Sequence, residues 1–145
     1  MTVHFTMPTS MGRRAVGQRG VSSATEVEEL VNAIAELPER SVVIHHAGRP
    51  VTGNVFFDDG VDVYDHELVA AVHGDWGYLR MWAVDDGDDT WILAGDPASP
   101  TFVSDESEFP GGAGIPLLRL VVALREFLET GRRPLCLNWV AEQGD

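Results

Sequence analysis

A chain of 145 residues, 44% of them hydrophobic, is long enough to bury a core of its own without a disulfide or a metal. Its one cysteine, Cys136, excludes an internal disulfide framework and a cysteine-rich zinc site and suits a reducing cytoplasm, and no apolar run approaches the ~18 residues of a membrane span. A net charge of −13 with no Lys excludes a direct nucleic-acid binder and disfavours an anionic membrane surface, because both require a basic face.

Thr2–Met7 alternates, with Val3, Phe5 and Met7 on one side, and predicts a strand with one buried face. Residues 8–22 are rich in Gly, Arg and Ser and read as a loop that can be mobile. Arg13 and Arg14 precede no apolar core, so a secretion signal is not expected. A helix follows. Ser23–Glu26 fits a capping box, and so does Thr25–Glu28, while Val27, Leu30, Val31, Ile34 and Leu37 recur at helical spacing up to Pro38.

From residue 41 to about 104 the period is two. Ser41–His46 is a short strand closed by Gly48-Arg49-Pro50. Val51–Phe57 and Val61–Tyr64 flank Asp58-Asp59-Gly60, a hairpin signal. Leu68–His73 and Gly77–Val84 flank a turn at Gly74-Asp75-Trp76. Thr90–Ala94 follows the loop Asp85–Asp89, and Thr101–Ser104 is a weaker strand. A second helix begins with Pro116 in its first turn. Leu117, Leu120, Val121, Leu124, Phe127 and Leu128 form its apolar face, and Gly131 and Pro134 end it. Leu135–Val140 returns as a strand with Trp139 in the core. The expected fold is α+β: one domain over 1–145, an antiparallel meander sheet with two main helices packed on it.

The charge is unevenly spread. Residues 1–49 hold five Arg and five Glu, and residues 113–145 hold four Arg and four acids, so both stretches are neutral. Residues 50–112 hold fourteen acids against Arg80 alone, and 14 − 1 accounts for the whole excess. Such a field attracts a basic partner protein.

Candidates for chemistry are few. His45 and His46 are neighbours on a strand and face opposite ways, and His66 and His73 lack metal-ligand spacing, so surface or strand-end positions are expected and no metal site. Asp65-His66-Glu67 and His73-Gly74-Asp75 offer a base held by a carboxylate, but no Gly-x-Ser-x-Gly elbow accompanies them. Cys136, between Leu135 and Leu137, reads as a small core residue. Gly111-Gly112-Ala113-Gly114 precedes a helix but lacks the Lys-Ser/Thr of a phosphate loop, so a flexible connection is expected. The Asp85–Asp89 loop misses the glycine and glutamate positions of an EF-hand and reads as a solvated hairpin tip. Trp76, Trp82 and Trp91 lie near the acids, the composition of interface anchors, with ordinary core packing as the competing reading.

The order of Ile115-Pro116, the helix ending Leu124-Arg125-Glu126-Phe127-Leu128-Glu129-Thr130-Gly131, then Arg132-Arg133-Pro134 and Asn138-Trp139 resembles the ending of the Imm1 family of immunity proteins. Gly77-Tyr78-Leu79, Gly95-Asp96 and Thr25–Leu30 match in the same order, so the resemblance spans nearly the whole chain, with its specific part in the last ~30 residues. It implies a cytoplasmic, non-enzymatic protein that binds and neutralises a cognate bacterial toxin, often a nucleic-acid deaminase, with no cofactor. Combined with the charge map, it gives an expected contact through Asp58, Asp59, Asp62, Asp85, Asp86, Asp88 and Asp89, with Trp76 and Trp91 as apolar anchors. The alternatives are a general acidic adaptor for a basic protein, with no toxin involved, and a small hydrolase using His66 or His73. The resemblance fixes no toxin-contact motif, and Cys136 and the edge strands leave self-association open.

Overall fold

The computed structural model describes residues 1–8, 14–37, 39–49, 51–53, 62–87, 89–104 and 107–142, and for residues 4–8, 14–17, 51–53 and 62–63 the backbone alone. In chain order the elements are β1 (Thr2–Pro8), β2 (Arg14–Gly20), α1 (Ala24–Ala35), β3 (Ser41–His45), β4 (Val51–Gly53), β5 (Asp62–Tyr64) and β6 (His66–His73). There follow β7 (Trp76–Ala83), β8 (Thr90–Leu93), β9 (Phe102–Val103), β10 (Glu108–Phe109), β11 (Ile115–Pro116), α2 (Leu117–Thr130) and β12 (Trp139–Ala141).

The main sheet runs β12-β8-β7-β6-β3-β1-β2, with β11 added on β7, and its pairings are antiparallel. This is the α+β arrangement expected, with a meander at β6-β7-β8. The chain departs from a simple meander where β3 pairs with β6, leaving β4 and β5 as a separate two-stranded ribbon. The expected loop over 8–22 is corrected. Arg14–Gly20 is a strand zipped to β1 from Pro8↔Arg14 to Thr2↔Gly20. Its sequence shows no apolar alternation, so the ladder with β1 defines it.

Both faces of the sheet centre are covered, which explains why β6 reads as a nearly continuous apolar run. Leu68, Ala70 and Val72 point to one face and join Leu79, Met81, α1 residues Val27, Leu30 and Ile34, and α2 residues Leu120, Leu124 and Phe127 in the larger core. Val69 and Ala71 point the other way, to Tyr78, Ile92, Phe102, Phe109 and Ala113. Each fully buried Leu or Phe contributes about 1.5–3 kcal/mol of transfer free energy, so the helix-facing layer dominates.

Local chemistry sets the helix ends. Ser23 is the N-cap of α1. Its hydroxyl accepts from the Glu26 N–H at 3.2 Å, and the Ser22 and Ser23 hydroxyls donate to the Glu26 carboxylate. Those hydroxyls hold the Glu26 pKa below its ordinary value. Pro116 sits one residue ahead of α2, at its N-cap, rather than in the first turn. Gly131 closes α2 with φ 66°, and its N–H donates to the Phe127 carbonyl at 2.8 Å. A Cβ there would also lie 2.9 Å from His46 Nδ1. Packing is as tight at Gly77, where a Cβ would come within 2.8 Å of Leu120, so α2 rests directly on β7.

The glycine run before α2 is a bonded strap, not the flexible connection expected. Gly112 N–H donates to Ser99 O, Gly114 N–H to the Ser99 hydroxyl, and Gly95 and Asp96 N–H groups to Gly112 O and Gly114 O. The C-terminal strand is shorter than Leu135–Val140, and Cys136 is exposed instead of a core residue. Trp139 is half-buried against the core and donates from Nε1 to Pro134 O at 2.7 Å. Among the described residues, no helix is long and apolar enough to cross a membrane.

Candidate functional site

Four short segments meet at the end of the sheet where β7 finishes: the turn before β4, the β5–β6 junction, the turn after β7 and the turn after α2. The Val84 N–H donates to the Asp65 carbonyl at 2.9 Å, which roots the β4–β5 ribbon beside the β7–β8 turn. The β5–β6 junction and the start of the β7–β8 turn are therefore side by side.

Arg49 ties the segments together. Its Nε and Nη2 donate to the two oxygens of Asp65, both at 3.0 Å, Nη2 also reaches Asp85 Oδ1 at 2.7 Å, and Nη1 reaches Gly131 O at 3.1 Å. Its side chain is only 9% exposed, so these are screened little by water. The Arg49 hydrogen bonds hold Asp65 and Asp85 below the usual carboxylate range.

His66 carries the network into the core. Its Nδ1 lies 2.8 Å from Asp65 Oδ1, and its Nε2 accepts the His46 N–H at 2.8 Å. Nε2 accepts, so the proton of the neutral ring is on Nδ1 and points at the carboxylate. The ring is fully buried, and burial pushes its pKa below the ordinary value. His66 opens β6, one of the strand-end positions expected, but its ring is buried and not at the surface. Because both nitrogens are committed and no solvent reaches them, the ring is poorly placed to act as a base. His73 is exposed and stacks on Phe102 with centroids 4.9 Å apart.

A second pairing lies beside the first. Arg133 donates from Nε and Nη2 to the Asp86 carboxylate at 2.6 and 3.2 Å, and its guanidinium lies 3.8 Å above the Trp91 ring. Trp91 Nε1 in turn donates to Asp86 O at 3.2 Å. A cation over an indole face with a bidentate carboxylate on its edge is a pre-set platform.

Of the residues expected at a partner contact, Asp85, Asp86 and Trp91 are brought together here, and Asp89 is exposed on the same turn. Asp62 is on β5, where only its backbone is described, and Asp58, Asp59 and Asp88 lie outside the described residues. Trp76 opens β7, at the opposite end of an eight-residue strand from Ala83, roughly 23 Å away. It is half-buried against the smaller core cluster instead of standing in a turn. The sequence reading missed Arg49, Arg132 and Arg133 as part of this region. The partners of Arg49 and Arg133 are 16 to 82 positions away in the chain, and no local signal joins them. Among the described residues, no cluster of His, Cys, Asp and Glu could hold a metal ion.

The family model of the immunity protein Imm1 matches residues 16–141, and the chain belongs to that family. It is thus an immunity protein, whose partner is a toxin. No curated protein matches the chain.

Proposed function

We propose that this immunity protein neutralises a nucleic-acid deaminase toxin in the cytoplasm by laying the acidic end of its sheet into the toxin's basic substrate groove. A toxin that handles nucleic acid must offer a positive groove to phosphates, and an acidic face competes for that groove and accelerates encounter. The supporting observation is the shared root of the two acidic hairpins at the Asp65–Val84 hydrogen bond, within a segment that holds the chain's entire negative excess. In this reading Asp58, Asp59, Asp62, Asp85, Asp86, Asp88 and Asp89 face the toxin. Trp91, held under Arg133, supplies an apolar surface, and Trp76 lies outside the compact patch. The protein acts by occupancy, and none of its residues takes part in a reaction.

Co-expression tests this directly. A deaminase toxin encoded beside this gene is expressed in a bacterial host with or without the immunity protein, and survival and nucleobase deamination are read together. Protection accompanied by loss of deamination is the expected result. Full toxicity in the presence of well-expressed immunity protein sinks the pairing. Protection against a toxin that has no deaminase activity removes the deaminase assignment.

A further inference from the structure

The turn after β7 and the turn after α2 enclose a cleft of about 410 Å3, lined by Arg49, Arg132, Arg133, Asp85, Asp86 and Leu135 among others. Three of the chain's ten basic residues thus converge on one depression at the acid-rich end of a protein of net charge −13. Two of the three are satisfied from within. Arg49 is held by Asp65 and Asp85, and Arg133 by Asp86. Arg132 is exposed, and among the described residues its guanidinium has no hydrogen-bond or ion-pair partner. Around the cleft three guanidiniums meet three carboxylates, and Arg132 is the guanidinium that none of those acids holds.

We propose that this cleft receives a Glu or Asp side chain of the toxin, with Arg132 as the group that binds its carboxylate; this rests on the reading above that the partner is a toxin. The backbone at Arg132 is already fixed for the task. Its N–H donates to the Thr130 hydroxyl at 3.1 Å, and Gly131 before it holds the left-handed turn. The backbone that carries the guanidinium is therefore fixed, and the exposed side chain can close on a docked carboxylate as a bidentate pair. Leu135, 86% exposed, stands at the same cleft and offers an apolar wall for the methylenes of a glutamate. A singly charged carboxylate suits the site better than a phosphate, because the surrounding field repels a dianion more strongly.

The consequence is selectivity. An acidic face alone would accept any basic protein, whereas a partner that covers the cleft desolvates Arg132 and leaves it unmatched unless it supplies an acid at that point. Negative charge then supplies the association rate, and the socket chooses the partner.

The test uses the full-length immunity protein and a catalytically inactivated form of the toxin encoded beside it, with affinity measured by calorimetry. Arg132 is exposed, so its variants keep the fold, and a thermal melt of each checks this. Removal of the anchor by Arg132→Ala weakens binding about tenfold, the scale of an interface arginine. Arg132→Glu, which sets two like charges together, weakens it about 100-fold, and Arg132→Lys falls between wild type and Ala. An acid-to-lysine change on the toxin that restores binding to Arg132→Glu identifies the docked carboxylate. If wild type binds and Arg132→Glu binds within about twofold of it, the socket is refuted while the toxin reading stands. If wild type forms no complex, the pairing with that toxin fails and the socket falls with it.

Discussion

Replacing Arg49 by Ala removes a side chain that joins four segments at the candidate site. It takes away two hydrogen bonds to Asp65, one to Asp85 and one to Gly131 O. Breaking a buried ion pair from one side costs about 3–5 kcal/mol, because the remaining charge is left without its partner. Asp65 is 27% exposed and keeps its bond to His66, which moves the expected cost to the low end, about 3 kcal/mol. With a urea m-value of about 2 kcal/mol/M, the unfolding midpoint falls by about 1.5 M. Asp85→Asn removes only an interaction whose acid is 55% exposed, and costs about 0.5 kcal/mol. Equilibrium urea unfolding followed by tryptophan fluorescence measures both. A double-mutant cycle of Arg49→Ala with Asp65→Ala gives a coupling of about 1–3 kcal/mol. An Arg49→Ala variant that loses less than about 1 kcal/mol would refute the idea that this guanidinium organises the site.

Two further outcomes follow from the same geometry. His66 is buried neutral with a lowered pKa, so the unfolded chain binds its proton more readily than the native one. The contribution of His66 is therefore complete above its unfolded pKa of about 6.5 and is lost as pH falls through that value towards the folded pKa, with a slope of at most about 1.4 kcal/mol per pH unit. Urea midpoints measured between pH 7.5 and 5 check this, and the expected slope is reduced in His66→Gln. At Gly131, φ of 66° and the nearby His46 ring make Gly131→Ala cost about 2–3 kcal/mol by thermal unfolding. Gly20→Ala, where a Cβ would meet nothing within 4 Å and φ is not positive, leaves the melting temperature unchanged or slightly raised.

The elements legible in the sequence are those whose burial is periodic. The apolar spacing from Leu117 to Leu128 marks α2 because that face packs on β7, and Ser23-Ala24-Thr25-Glu26 marks the start of α1 because the cap is local. The β6–β7 hairpin is legible for the same reason. Arg14–Gly20 is not, since its strand character lies in hydrogen bonds to β1 and not in its own side chains. Cys136 sits between two leucines and looks interior, yet the chain turns there, leaving Leu135 86% exposed and Leu137 8% exposed. The candidate site was half visible. Its acids cluster along the chain and show at once, whereas the arginines that hold Asp85 and Asp86 come from a turn 36 positions earlier and a helix end 47 positions later. Opposite charges that meet only through the fold leave no pattern in the sequence. The approach of Asp65 to His66 is the exception, because the two are neighbours. The sequence could not decide between a poised base and a buried structural pair. The His46 N–H on Nε2 favours the second.

The measurement that tests the central claim most directly is the salt dependence of toxin affinity for two proteins: wild type, and a variant with Asp58, Asp59, Asp62, Asp88 and Asp89 changed to Asn. These acids are chosen because Asp85 and Asp86 also serve the internal ion pairs. The account predicts that wild-type affinity falls steeply between low and high salt, and that the variant binds more weakly with a flattened slope. Equal affinity and equal slope for the two proteins would contradict it and place the toxin contact elsewhere on the molecule.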